Sequence, residues 1–294
     1  MNSRGYRLYQ RLKYYKMKVA FLSDFFDSEI IGGAEKNDSV LINHLKTKFE
    51  LDKVHTYNLD PLIDKYDFFI VSNFIRLSPA CKETLIRRGN YIIYEHDHKY
   101  VASRDPAAYV NFKAPEDQII NKVFYQSALR VFVLSSVCKK VIEDNLALTN
   151  VHNIACSLWS KENLKLISIL STETQKKYDY GILNSTNGIK GTAIALDYCR
   201  NKSIVPRPIM SPSYPDFLKQ MAECEKFLFF PQVLETFSRV CAEAKMLNCD
   251  VMTNSKMIGF FSEEYSSLKG IELINKISDN VDQALLSFEE IIIL

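Results

Sequence analysis

Long apolar runs are missing from this chain of 294 residues. No stretch approaches the roughly 20 residues that a bilayer-spanning helix needs, and the N-terminus has no signal-peptide core. The expected location is therefore the cytoplasm, with peripheral membrane contact the one membrane association left open. A cysteine pattern is missing too. The seven cysteines have irregular gaps and no Cys-x-x-Cys pair, which excludes a disulfide frame or zinc ribbon and suits free thiols in a reducing compartment. Charge of one sign is not in excess: the net charge is +2 with 24% charged residues, so the total neither demands nor excludes an anionic partner. No internal repeat or low-complexity tract stands out. What remains, at 47% hydrophobic residues, is a globular chain long enough for two domains.

Residues 1–16, "MNSRGYRLYQRLKYYK", form a basic, tyrosine-rich extension without an acid, of the kind that lies on an anionic membrane or on nucleic acid. From Met17 the pattern alternates. Strands are expected at 18–24, 66–73, 90–97 and 130–136, and helices at 32–48, 79–89 and 119–129. A further helix follows Ser135 or Ser136, either of which can cap it. Gly89 closes the second helix. After a crossing stretch (152–177) the alternation resumes. Strands are expected at 178–184, 203–209, 226–231, 250–254 and 271–276, with helices at 191–200, 214–225 and 236–247. Such alternation implies parallel sheets covered on both faces. The expected architecture is α/β: two facing Rossmann-like domains with an interdomain cleft, divided 17–165 and 166–294.

Ligands of open α/β sheets bind beyond the carboxyl ends of the strands. "KFLFFP" leads to such an end, and "QVLETFSR" is the way into the next helix. The amides from Thr236 through Phe237 to Arg239 are expected to lack intrahelical partners and to favour an anion such as a diphosphate. Glu235 and Glu243 are separated by seven residues; on one helix eight positions rise about 12 Å, enough for two carboxylates to hold different ends of an extended ligand. Gly32 and Gly33 follow the first strand and let the backbone approach a phosphate or sugar. Lys190 sits at a strand-to-helix junction, where an ammonium meets phosphate as a point charge. In "YEHDHKYVASRDP" (94–106), His96 and His98 share a face if the chain is extended, and Asp97, Arg104 and Asp105 are candidate acceptor or phosphate contacts. His-x-His flanked by acids also suits zinc or iron.

The segment "LETFSRVCAEAKMLNCDVMTNSKMIGF" resembles the Glu-x7-Glu signature of the family 4 retaining glycosyltransferases. "IIGGAEKN" (30–37) resembles that family's first-domain glycine loop, and "GIKGTAIAL" (188–196) its Lys-Gly. The three motifs stand in the family's order and span most of the chain. The resemblance implies the GT-B fold and a metal-independent enzyme without a resident cofactor, which moves a sugar from a nucleotide-sugar donor to a glycan or lipid-linked acceptor with retention. It further implies that Glu235 approaches the donor sugar, Glu243 holds the ribose, Lys190 neutralises the diphosphate and His96 stands near the sugar ring.

The chain departs from the family pattern in three places. Asn184 or Ser185 stands where an arginine is usual, leaving Arg207 or Arg239 to supply that charge. "LNCDV" replaces Gly-x-Pro after the glutamate helix, with Asn248 able to take a left-handed cap. The long C-terminal helix that crosses back to the first domain is expected to be absent. The rival readings are a DNA-modifying sugar transferase of viral type, a non-catalytic nucleotide- or glycan-binding relative, and a metal hydrolase.

Overall fold

The computed structural model describes residues 17–30 and 32–294; the expected basic extension at 1–16 lies outside them. The first sheet is parallel and six-stranded. It comprises β1 (Lys18–Ser23), β2 (Glu50–His55), β3 (Phe68–Val71), β4 (Tyr91–Tyr94), β5 (Val131–Val133) and β6 (Val151–Asn153), in the order β2-β1-β3-β4-β5-β6. Alternating side chains of β1 enter different cores: Val19 and Phe21 face one, Ala20 and Leu22 the other. On the first side lies α1 (Gly33–Lys46), through Leu41, Ile42 and Leu45. On the second lie α2 (Pro79–Arg88), α3 (Lys122–Gln126) and α4 (Ser136–Leu146). Ser135 is the residue that caps α4, accepting a hydrogen bond from the Cys138 amide. Gly89 ends α2 with a left-handed φ of 66°.

The second sheet is parallel and four-stranded: β7 (Tyr178–Leu183), β8 (Arg207–Ile209), β9 (Cys224–Leu228) and β10 (Asp250–Met252), in the order β10-β9-β7-β8. Its helices are α5 (Lys161–Glu173), α6 (Thr192–Asn201), α7 (Tyr214–Ala222) and α8 (Arg239–Met246). The expected alternation of strands and helices is present, with corrections at particular elements. β2 and β6 were not expected because they are edge strands: Leu51 and Val54 are the buried apolar residues of β2, and Val151 that of β6. β8 is shorter than expected because Ser203 turns with φ 55° and Val205 is exposed. α5 occupies the supposed crossing stretch, and the expected boundary at 165/166 falls inside it.

The largest correction concerns the end of the chain. Residues 271–276 are not a strand. They open α9 (Gly270–Ile293), a 24-residue helix. Its buried apolar residues recur at helical intervals (Leu273, Ile274, Ile277, Val281, Ala284, Leu285, Phe288, Ile291, Ile292), while Ile271, Leu286 and Ile293 are exposed. A four-residue window such as "IELI" satisfies both periods, which is why the short reading failed. The helix expected to be absent is therefore present. It packs on α5 and α8 and crosses to α1. There Phe288 stacks on Phe132 with ring centroids 4.0 Å apart and meets Tyr94 edge-on at 5.0 Å. His44 of α1 and Glu289 of α9 form an ion contact beside it. Among the described residues no helix is long and apolar enough to cross a membrane.

Strand order reverses in each sheet between its first strand and one neighbour: β1 and β3, then β7 and β9. Crevices open where neighbouring loops diverge from such a point. The loops after β1, β4, β7 and β9 carry Gly32 and Gly33, His96, Lys190 and Glu235 respectively. Topology thus brings each pair to its own sheet's crevice, and contacts between the two sheets' loops join the crevices into one cleft.

Candidate active site

The loop after β9 forms the middle of the cleft. It is extended where a helix start was expected. The Glu235 amide donates to the Met257 carbonyl at 2.9 Å, and the Gly259 amide donates to the Glu235 carbonyl at 2.9 Å. A Cβ on Gly259 would lie 2.1 Å from the Thr236 carbonyl oxygen, so only glycine allows the two segments to pair. α8 begins at Arg239, and the orphan amides of its first turn start there instead of at Thr236. Ser238 precedes it with φ 72° and ψ 85°, a strained conformation for a residue with a side chain. Its buried hydroxyl has no hydrogen-bond partner among the described residues. Glu235 and Glu243 therefore do not share a helix, and the 12 Å rise expected between them does not apply.

This loop is fastened to the first sheet's loops. Thr236 Oγ1 donates to the His96 carbonyl at 2.9 Å, and Ser135 Oγ donates to the Thr236 carbonyl at 2.7 Å. The Leu234 carbonyl accepts from His98 Nε2 at 3.2 Å, and Phe237 packs against Trp159 and Phe260. Glu235 itself accepts from Lys190 Nζ at 2.7 Å. Lys190 ends a short 3₁₀ turn after β7, closed by Gly191 at φ 69°, where a Cβ would strike the Phe230 carbonyl oxygen at 1.7 Å.

Glu243 is held differently. It is 2% exposed, and its Oε1 accepts from the Tyr214 hydroxyl at 2.6 Å and Trp159 Nε1 at 3.0 Å. Arg239 Nε lies 3.6 Å from the same oxygen. The Arg239 guanidinium stacks over Trp159 and donates to Asn37 Oδ1 at 3.1 Å. Burial, and then the Glu243 charge, push the Tyr214 phenol well above its ordinary range.

Three adjoining cavities contain every site residue expected from sequence. One of about 350 Å3 is lined by Gly32, Gly33, His96, Lys190, Glu235, Thr236 and Phe237, with Ser238 and Arg239. A second, of about 230 Å3, holds Glu243 with Lys36, Tyr214 and Phe217, and shares Gly32, Gly33 and Arg239 with the first. A third, of about 340 Å3, holds Asp97, Arg104 and Asp105 and shares His96, Lys190, Glu235 and Thr236 with the first. Arg239, one of the two arginines considered for the missing charge, lines two of these cavities. Arg207 lies on edge strand β8 over the Tyr178 ring and lines none of them, as is true of Asn184 and Ser185.

The histidines do not share a face, because His98 takes φ 58° and turns away. His96 Nε2 lies 3.0 Å from Asp38 Oδ1, which also accepts from Ser72 Oγ at 2.8 Å. In the neutral ring that contact places the proton on Nε2 and leaves an acceptor lone pair on Nδ1. Nδ1 is buried without a partner among the described residues. His98 is engaged at both nitrogens, by the Tyr100 hydroxyl at 2.9 Å and by Leu234, and burial lowers its pKa. Among the described residues no three His, Cys, Asp or Glu side chains converge as a metal site. Asp97 is clamped by Lys99 and Arg104. Burial raises its carboxyl, but Lys99 and then Arg104 outweigh this and hold it at about 2. Asp105 Oδ1 caps a turn through the Ala107 amide.

Lys36, Asp38, Trp159 and Tyr214 were not singled out from the sequence. Lys36 lies inside the quoted glycine-loop motif and was within reach. Asp38, Trp159 and Tyr214 carry no local signal, since each matters through a residue distant in the chain.

No protein-family model matches the chain, and no curated protein matches it significantly. Solved structures do match. UDP-N-acetylglucosamine 2-epimerase from Rickettsia bellii aligns with a TM-score of 0.54 and 10% identity over 95% of this chain and 96% of its own. Anabaena Alr3699/HepE, solved with UDP and glucose, aligns at 0.45 and 13%, over 93% and 100%. An alpha-glucosyltransferase solved with UDP and a 13-mer DNA containing an HMU base aligns at 0.45 and 10%, over 94% and 93%. At such identity the likeness speaks for fold alone. Two parallel-sheet α/β units, with strand ends meeting at a cleft and an epimerase aligned along nearly its whole length, define the GT-B fold.

Proposed function

We propose that this chain is a retaining glycosyltransferase, similar to family 4, that takes its sugar from a nucleotide-sugar donor. One observation carries the reading: residues from four separate strand ends and two sheets meet around one crevice. A carboxylate–ammonium pair stands at one end and a buried carboxylate at the other. An extended donor fits that polarity. Its sugar lies by Glu235 and His96, its diphosphate along Gly32, Gly33 and Lys190, and its ribose toward Glu243. In the reaction the acceptor oxygen bonds to the anomeric carbon on the face the diphosphate leaves, and the acceptor proton passes to the departing phosphate oxygen. Lys190 and the first-turn amides of α8 stabilise the charge developing there. The loop at 234–237, fastened to the first sheet's loops, holds Glu235 in place at the crevice wall. No step requires a metal, and turnover in excess chelator tests that. The acceptor, by this reading a glycan or glycolipid, enters by Asp97, Arg104 and Asp105.

The neighbour named as a UDP-sugar 2-epimerase supports nucleotide-sugar binding and motivates a second reading, epimerisation of the donor itself. The test is a thermal-shift screen of UDP-, GDP-, ADP- and TDP-sugars on wild type and Glu243→Ala, followed by product analysis. A donor at 100 times its dissociation constant adds about 2.7 kcal/mol. One nucleotide is expected to shift wild type only, and the transferred sugar to keep its anomeric configuration. An epimerised donor, with no transfer to glycan, glycolipid or DNA, supports the second reading. Absence of any nucleotide shift overturns both.

A further inference from the structure

The cavities holding Glu235 and Glu243 share the wall made by Gly32, Gly33 and Arg239, and so form one crevice. Three cations and two carboxylates line it. Lys190 is paired with Glu235 at 2.7 Å, and Arg239 with Glu243 at 3.6 Å. Lys36 is left over. Its Nζ stands 3.7 Å from the centroid of the Tyr214 ring, and among the described residues no carboxylate oxygen lies within 4.0 Å of it. A ring face attracts an ammonium but cannot neutralise it. Burial lowers the pKa of this lysine, with the Glu243 charge opposing and the Arg239 charge assisting. A half-buried ammonium on a cavity wall with no carboxylate in direct contact is a site for an anion.

Lys36 also belongs to α1 on the first sheet, whereas Tyr214, Arg239 and Glu243 belong to the second sheet's helices. Resting on the donor reading above, we propose that Lys36 is the first domain's phosphate-binding residue, which leaves the Tyr214 ring to meet the donor's diphosphate. It supplies the charge that the absent arginine does not. Phosphate, not the nucleoside, then ties α1 to the second domain.

The test compares binding of UDP, GDP, ADP and TDP, and of the matching nucleosides, to wild type, Lys36→Met and Lys36→Arg by calorimetry. Lys36→Met is expected to weaken the preferred diphosphate roughly tenfold or more while leaving its nucleoside unchanged, and Lys36→Arg to restore most of the loss. Equal weakening of both ligands, or of neither, overturns the assignment. A second measurement needs no variant: acetylation of Lys36 in wild type, followed by peptide mass spectrometry. Protection by diphosphate and not by nucleoside supports the assignment, and protection by neither overturns it. If wild type binds no nucleoside diphosphate, the donor reading falls and Lys36 with it. If wild type binds and Lys36→Met binds equally well, Lys36 alone falls.

Discussion

Glu235 and Glu243 lie eight positions apart and both meet a cation, yet they are built for different work. Glu235 sits on an extended loop at a cavity wall with one partner, Lys190, whose side chain is 33% exposed. Glu235 itself is 14% exposed, and a single part-buried pair on a cavity wall is cheaper to exchange for a ligand than a shared, fully buried one. Glu243 is buried inside α8, with one oxygen shared by Tyr214, Trp159 and Arg239. Such a carboxylate is expensive to disturb, because its loss strands a buried guanidinium. The first is suited to meet the changing part of a substrate and the second to hold the part that does not change.

The sharpest way to break this contrast is to delete each carboxylate and measure urea unfolding. Glu243→Ala is expected to cost about 3–5 kcal/mol, and Glu235→Ala, which breaks one part-buried pair, about 1–2 kcal/mol; equal costs would end the distinction. Kinetics should invert the order. Glu235→Gln is expected to lower turnover about 10²- to 10³-fold with little change in nucleotide affinity, whereas Glu243→Gln should mainly weaken nucleotide binding. Acid titration addresses the side of the cleft nearer Glu235. Asp97, held at about 2 in the folded chain against an ordinary 3.8, contributes stability that is complete above about pH 4. That contribution disappears as the pH falls through about 2, on the order of 2 kcal/mol in all. The loss in this window should be absent from Asp97→Asn. The smallest effect is expected at Tyr214→Phe, which removes one hydrogen bond from Glu243 at about 1 kcal/mol and should leave turnover with saturating donor intact.

The sequence disclosed the fold where burial is two-sided. β1, β3, β4 and β5 are runs of buried apolar residues, and such runs are visible without a partner. It hid β2 and β6, whose outer edges are wet, and it hid α9 behind a four-residue window. The site was legible where chemistry is packed into a short segment: the glycine pair, Lys190 and the two glutamates. It was not legible where the chemistry depends on distant residues. Asp38 turns toward His96 only because α1 lies beside the end of β4, and Trp159 finds Glu243 in the buried core from 84 residues away in the chain. The geometry between the glutamates was also out of reach, since the pairing of Glu235 with Ile258 keeps the first one off the helix.

The return of α9 to the first sheet bears on synthesis order. Phe132 and Tyr94 receive their covering ring from Phe288, so the ribosome delivers the six-stranded sheet long before it delivers the helix that shields it. Until residues 270–293 emerge, the part of that face that α1 does not cover is exposed apolar surface, a natural target for chaperones. Because α9 also packs on α5 and α8, a release that stops before it leaves an open flank on both halves of the molecule, the earlier-made and the later.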